Sequence, residues 1–194
     1  MRLVLATRNE HKLRELGEAM PGADLEPLPE SVELPPEDGV TFEANALVKA
    51  RAANEATGLP ALADDSGIEA AALGGRPGVR SARYAGEGAS DEENLAKLLE
   101  EVNGPDRRVA YVCVLALVRA PGDELVVEGR CEGTLDPSPR GSGGFGYDPA
   151  FVPGDTPDDD LRTMAELSPD EKNAISHRGR AARAMAARLE RGAE

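Results

Sequence analysis

Two adjacent acids, a hydroxyl and a glycine, Asp64-Asp65-Ser66-Gly67, stand directly after the apolar run Leu59-Pro60-Ala61-Leu62-Ala63. The run reads as a short buried strand and the acids as its exposed end. Side chains of neighbouring strand residues point to opposite faces, so the two carboxylates cannot do the same work. One can face a cleft and hold a hard divalent cation while the other turns back to anchor backbone. Mg²⁺ suits such a place, because it keeps several waters and takes only one or two protein carboxylates beside substrate phosphates. A solvated Asp-Asp-Ser-Gly turn is the alternative.

Three further segments carry groups that can meet an anion. Thr7-Arg8-Asn9-Glu10-His11-Lys12 lies between a strand-like Leu3-Val4-Leu5-Ala6 and a helical recurrence of Leu13, Leu16 and Met20. The free backbone N–H groups of such a helix entry cradle phosphate. Lys12 in the first helical turn opposes the helix dipole, which an anionic partner would explain and a solvated lysine would not require. A helix over residues 41–57 places Asn45 and Lys49 four apart on one face, either lining a site or facing solvent. Near the C-terminus, Lys172 follows the capping box Ser168-Pro169-Asp170-Glu171, and Ser176-His177-Arg178 opens a final Ala/Arg-rich helix with Met185 and Leu189 on its core face.

Gly141-Ser142-Gly143-Gly144-Phe145-Gly146 matches a dinucleotide fingerprint letter for letter. Tyr147-Asp148-Pro149 cannot open the helix that fingerprint needs, so the segment reads instead as a backbone loop that closes on a ligand. The acidic stretch 155–160 reads as a solvated loop. Arg76, Arg80 and Arg83 cluster within an acidic chain, to meet substrate or to pair with nearby acids.

The elements that must position these groups follow from pattern. Residues 24–28 read as a second strand and 29–39 as a Pro- and acid-rich loop containing Glu37. Residues 68–73 could return as a strand. Ser90-Asp91-Glu92-Glu93 is a capping box that opens a helix to about residue 102, with Leu95, Leu98 and Leu99 buried. Residues 109–118 form a strand covered on both faces, and Pro121-Gly122-Asp123 turns it into a return over 125–129. The sheet is therefore mixed.

The chain has 194 residues, 36 acidic and 22 basic, with a formal net charge of −14. That size predicts one domain or two closely packed lobes. The charge disfavours a nucleic-acid polymer as partner; an anionic small molecule would need a local basic pocket and a metal. Cys113 and Cys131 lack disulfide or metal spacing and read as reduced and structural. No apolar run reaches the ~20 residues of a membrane helix, and no signal-peptide pattern opens the chain. A cytoplasmic protein that does not bind membranes is expected.

Taken together, Ala6-Thr7-Arg8-Asn9-Glu10-His11-Lys12, Ala63-Asp64-Asp65-Ser66-Gly67, Gly143-Gly144-Phe145-Gly146-Tyr147-Asp148-Pro149 and Glu171-Lys172 with Ser176-His177-Arg178 resemble the inosine triphosphatase family, the dITP/XTP pyrophosphatases. Leu73-Gly74-Gly75-Arg76-Pro77-Gly78 and Ser81-Ala82-Arg83-Tyr84 are also similar to that family. The resemblance spans nearly the whole chain and implies a single domain over residues 1–194. It implies an α/β fold with a long mixed central sheet flanked by helices, two lobes and an active-site cleft between them. It further implies a Mg²⁺-dependent homodimer that hydrolyses 6-oxo purine nucleoside triphosphates (ITP, dITP, XTP) to monophosphate and pyrophosphate.

Carried over residue by residue, the resemblance makes Thr7, Arg8, Asn9, Glu10, His11 and Lys12 the phosphate loop. Asp65 becomes metal ligand and proton acceptor, with Asp64 or a metal-bound hydroxide as alternatives for the base. Glu37 is the second metal ligand. Ser66, Phe145, Gly146, Tyr147, Asp148, Lys172, His177 and Arg178 hold substrate, and Asn45 and Lys49 match polar helix positions that face it. Relatives often read Thr-Phe-x-Glu-Asn where this chain has Thr41-Phe42-Glu43-Ala44-Asn45, so Glu43 receives no role. A Maf-like pyrophosphatase is the nearest rival, against which Ser176-His177-Arg178 argues; a non-catalytic nucleotide sensor is the rival of another class.

Overall fold

The computed structural model describes residues 2–157 and 159–191. Leu3, Val4 and Leu5 are buried in β1 (Arg2–Leu5). A polar turn leads into α1 (Glu10–Ala19), whose N-cap is Asn9, and β2 (Asp24–Pro27) follows. The loop over 28–41 ends at Thr41, whose hydroxyl accepts from the Ala44 amide to start α2 (Phe42–Thr57); Gly58 closes it. Ala46, Ala50 and Ala53 are fully buried along α2, a narrow stripe that lets its backbone pack closely.

β3 (Ala61–Ala70) corrects the sequence reading. Asp64 and Asp65 do not end a short strand, and residues 68–73 do not return as another. One strand of ten residues runs straight through the acids and Gly67, and only residues 71–73 leave it, as a 3-10 turn. A buried carboxylate inside a strand is tolerable only when paired, and the pairing partners come from elements far away in the chain, as described below.

A second 3-10 segment, Gly78–Arg83, precedes α3 (Asp91–Glu101), which opens with the expected capping box between Ser90 and Glu93. Arg76 and Arg83 pair with Glu101 and Glu87. β4 (Arg108–Ala120) turns through Pro121-Gly122 into β5 (Asp123–Leu135), which continues well past the expected residue 129. β6 (Phe151–Pro153) is short. α4 (Pro169–Ile175) opens with the second capping box, between Ser168 and Glu171, and α5 (His177–Arg191) ends the described chain. Within the acidic stretch 155–160, residue 158 lies outside the described residues, as do residue 1 and residues 192–194 of the expected single domain.

The six strands form one sheet in the order β2-β1-β3-β4-β5-β6. β1 pairs in parallel with β2 and β3, whereas β5 and β6 are antiparallel, so the sheet is mixed as expected.

The chain divides into two compact units, residues 1–65, 113–129 and 177–194 in one, 66–112 and 130–176 in the other. The first has a core of Leu3, Leu5, Leu16, Leu62, Leu115 and Met185 with their neighbours. The second is built on Ile68, Leu98, Tyr111, Leu135, Phe151 and Met164, with Tyr111 and Phe151 stacked at 4.5 Å between centroids. β3, β4 and β5 each contribute residues to both units. Both cysteines are buried. Among the described residues, no helix is long and apolar enough to cross a membrane.

Candidate active site

The first unit gathers charge around the middle of β3. Asp64 is fully buried. Its Oδ2 lies 2.8 Å from Lys12 Nζ on α1 and 3.6 Å from Arg178 Nη2 on α5. Burial alone would raise its pKa, but Lys12, Arg178 and Lys49 together hold it far below the usual carboxylate range. Arg178 in turn ion-pairs with Glu15, a buried acid on α1. The result is a chain of ion pairs Glu15–Arg178–Asp64–Lys12, buried except at half-buried Lys12. Cys113 lies beside it, its thiol pushed up to about 12 by burial and by the Asp64 charge. That thiol stays protonated and unreactive.

Asp65, one peptide further, has a different environment. Its Oδ2 accepts from Asn45 Nδ2 of α2 at 2.8 Å. Its pKa is raised, chiefly by burial and further by Glu37, and the Asn45 hydrogen bond and Lys49 offset this only in part. Asn45 also accepts from the Gly39 amide at 2.8 Å, tying the preceding loop to the helix. Lys49 is buried; its Nζ donates to the Asp64 carbonyl at 2.5 Å and pairs with Glu37. Desolvation opposes the charge of Lys49, but Asp64 and Glu37 outweigh it and its pKa is raised. Asn45, Lys49, Glu37, Lys12 and Arg178 thus converge on the two adjacent acids within this unit.

The rest of the expected phosphate loop is less convergent. The Asn9 carboxamide caps α1, its Oδ1 accepting from the His11 and Lys12 amides at 3.0 and 3.2 Å. Thr7 Oγ1 accepts from the Asn9 amide. Side chains of the loop itself therefore take amides that a bare helix entry would offer. Arg8 reaches the other way, donating to the Glu30 and Val32 carbonyls. Glu10 is exposed, and exposed His11 sits beside Arg14. His177 is buried at the start of α5, next to Arg178.

The second unit carries the other expected residues. Asp148 is the hub of the Gly-rich loop: its Oδ2 accepts from Lys172 Nζ at 2.8 Å and from the Phe145 amide at 3.0 Å, and its Oδ1 from the Tyr111 hydroxyl at 3.0 Å. A side chain on Gly144, at φ +73°, would overlap the same carboxylate, so glycine is needed there for both conformation and space. Lys172 Nζ stands 5.3 Å over the Phe145 ring, within cation–π range. Tyr147 is buried and donates its hydroxyl to the Ser81 carbonyl at 2.7 Å. The Gly146 amide donates to Asp91 Oδ2 at 2.7 Å. No helix follows the loop, as expected; residues 148–150 form one 3-10 turn. Ser66 is half-buried in β3.

The sequence reading missed Glu15, Ser81, Asp91 and Tyr111. Glu15 had a signal, since an acid three residues after Lys12, next to Leu16 on a helix's apolar side, needs a cation. The others act through backbone or loop contacts that have no local signature.

Asp65 and Glu37 are the candidate carboxylates for a divalent metal. Asp65 and Glu37 are close enough for Glu37 to raise the Asp65 pKa, and the Glu37 side chain is about one third exposed. Among the described residues, no group of three or more His, Cys, Asp or Glu is arranged to hold a metal. Two carboxylates and no all-protein cage fit Mg²⁺, which completes its shell with water and substrate phosphate, better than Zn²⁺ or Ca²⁺.

The chain is similar to known proteins over most of its length. A family described as the Ham1 family matches residues 3–188. The chain is 52% identical over 195 residues to a dITP/XTP pyrophosphatase of Mycobacterium tuberculosis, covering 93% of this chain and 91% of that protein. It is 50% identical over 188 residues to one of Geobacter sulfurreducens, covering 93% and 92%. Among solved structures, a HAM1 protein from Coxiella burnetii superposes with a TM-score of 0.89 at 44% identity, covering 98% of this chain and 99% of that one. A nucleoside-triphosphatase, dITP/XTP pyrophosphatase, from Mycobacterium abscessus gives a TM-score of 0.76 at 44% identity, covering 97% and 100%. By family match, identity and fold alike, the chain belongs to the Ham1 family.

Proposed function

We infer that this protein hydrolyses nucleoside triphosphates carrying a 6-oxo purine, namely ITP, dITP and XTP, to the monophosphate and pyrophosphate, and so clears deaminated purines from the nucleotide pool. The shared name of its relatives supports the substrate class. The carrying observation is the opposite electrostatic fate of Asp64 and Asp65 within one strand.

The α–β anhydride breaks when water attacks a phosphorus crowded by negative charge, so catalysis rests on positioning and charge stabilisation. Asp65 and Glu37 would hold Mg²⁺, which would supply a Lewis acid for the phosphoryl oxygens. Asp64 is unsuited to be the base, because Lys12 and Arg178 fix it as an anion of low basicity. Its work is to hold those cations in place. Asp65, its carboxylate oriented by Asn45, is the proton acceptor in this reading. Lys12 and Lys49 offset charge on the polyphosphate, while Thr7, Arg8, Asn9, Glu10 and His11 form the loop that carries Lys12. Ser66, Phe145, Gly146, Tyr147, Asp148, Lys172, His177 and Arg178 bind the rest of the nucleotide. In this reading residues 1–194 act as one catalytic domain with two lobes and an active-site cleft, as a homodimer in the cytoplasm.

Base choice follows from hydrogen-bond polarity. A 6-oxo group accepts where a 6-amino group donates, and an unsatisfied buried donor costs about 1–3 kcal/mol. Pyrophosphate release is measured on ITP, XTP, dITP and ATP with and without Mg²⁺. Turnover that needs Mg²⁺, with kcat/KM for ITP at least ~10-fold above ATP, is expected. Equal kcat/KM for ITP and ATP overturns the base assignment, and binding without pyrophosphate release makes the protein a sensor instead.

A further inference from the structure

α3 carries a polar stripe of Asp91, Asn94, Lys97 and Glu101, spaced so that they share one face. Asn94 is buried; its Oδ1 accepts from the Ala85 amide at 2.8 Å and its Nδ2 donates to the Ala82 carbonyl at 3.2 Å. Lys97 Nζ donates to the Tyr84 carbonyl at 2.7 Å, and Glu101 accepts from the Tyr84 hydroxyl at 2.6 Å. These three residues fix the end of the segment 78–85 against the helix. That segment presents the Ser81 carbonyl to the Tyr147 hydroxyl. Ser81 is itself braced, its Oγ accepting from the Ile68 amide at 2.8 Å and lying 2.7 Å from the Gly78 carbonyl it donates to.

The fourth member of the stripe reaches the Gly-rich loop directly. Asp91 Oδ2 accepts from the Gly146 amide at 2.7 Å. Gly146 has φ +63°, and nothing lies within 4 Å of where its Cβ would be. Glycine is therefore present for its left-handed backbone, the conformation that aims this amide at Asp91. The loop residue before it gives its amide to Asp148, and the residue after it gives its hydroxyl to Ser81. Three consecutive residues, Phe145, Gly146 and Tyr147, are thus each tied by one donor. Two of the acceptors are a member of the proposed substrate site and a backbone carbonyl. The third is a side chain outside the site.

We propose that Asp91 is a positioning residue for substrate: from the first turn of α3 it holds the Gly146 amide and so sets the direction in which the Phe145 ring meets the nucleotide. This rests on the reading of the Phe145 loop as part of the substrate site. The role needs an acceptor oxygen, not a charge, so an asparagine serves where an alanine does not. It concerns ground-state binding of the nucleotide, so its signature is in KM more than in kcat.

The experiment uses the full chain with Asp91→Ala, Asp91→Asn and, as a control, Glu92→Ala, which removes an acidic residue from the same helical turn without a loop contact. Steady-state turnover of ITP with Mg²⁺ is paired with hydrogen exchange of residues 141–148 without nucleotide. For Asp91→Ala, KM is expected to rise roughly 3- to 10-fold, the yield of one exposed hydrogen bond, with kcat within about 2-fold. Loop exchange should quicken in the same variant. Asp91→Asn should stay near the parent in both readouts, and Glu92→Ala should leave KM unchanged. Equal KM for Asp91→Ala and Glu92→Ala, or Asp91→Asn as impaired as Asp91→Ala, overturns the proposal. Unchanged loop exchange in Asp91→Ala removes the tether itself. Quickened exchange at constant KM leaves the tether but takes the loop out of substrate binding. A parent protein that turns over no 6-oxo purine triphosphate defeats the functional reading and the role in substrate binding with it, while exchange still reports the tether separately.

Discussion

Asp64 and Asp65 carry the same functional group one peptide apart, and proton linkage gives them opposite effects on stability. The folded pKa of Asp64 is depressed, so its ionisation stabilises the fold above the unfolded value near 3.8 and is lost only as pH falls through the depressed folded value. At neutral pH that contribution is complete. The folded pKa of Asp65 is raised, so its ionisation opposes folding; the cost appears as pH rises past 3.8 and is complete above the raised value. Two substitutions separate the pair. Asp64→Asn leaves Lys12 and Arg178 facing a neutral group, and breaking a buried ion pair costs about 3–5 kcal/mol, so Tm falls steeply at pH 7. Asp65→Asn is expected to leave Tm unchanged or higher at pH 7 while kcat falls at least ~10²-fold, as for loss of one preorganised catalytic contact. Thermal melts of both variants at pH 7, with ITP turnover, check this. A large stability loss in Asp65→Asn, or near-parental kcat, contradicts the division of labour between the two acids.

Element scale explains what could be read from the chain and what could not. The starts of α2, α3 and α4 were legible because caps are local: Thr41, Ser90 and Ser168 bond to amides three residues on, and nothing else in the fold is needed. The mixed sheet followed from a hairpin turn and an apolar run. The continuity of β3 was not legible, because the charges that let Asp64 stay inside a strand come from α1 and α5 at opposite ends of the sequence. The candidate site was legible as motifs, and its supports, buried Glu15 and exposed Asp91, were not. The N-terminus of α5 holds two of the expected residues, and its seat on β5 is tight. A Cβ added at Gly129 would overlap the His177 carbonyl and the Ala181 amide. These are backbone atoms and cannot rotate away. Gly129→Ala should therefore push the start of α5 outward, costing about 1–3 kcal/mol by overpacking and shifting Arg178 from Asp64. Lower Tm together with a loss of ITP turnover larger than the stability loss explains is the expected result. Parental turnover at a temperature where the variant is fully folded would show that the approach of helix to strand does not set the geometry at Arg178.

At the scale of the molecule, the two units are each built from separated segments of chain, three in one and two in the other. The boundaries fall between Asp65 and Ser66, between Val112 and Cys113, between Gly129 and Arg130 and between Ser176 and His177. Three of them interrupt single strands: β3, β4 and β5 each belong partly to one core and partly to the other. Melting either core therefore frees strand residues whose continuation pairs in the other core, and loss of strand order on one side removes a template on the other. The two units should accordingly unfold as one cooperative transition in spite of their separate hydrophobic clusters. Met185→Ala empties space in the first core and Leu98→Ala in the second. Each costs about 2–5 kcal/mol. Each should lower the same single Tm, with calorimetric and van't Hoff enthalpies remaining equal. A melt in which Met185→Ala moves one transition and Leu98→Ala moves another would mean that shared strands do not couple the cores, and that residues on the two sides of the Asp65–Ser66 boundary can lose their structure independently.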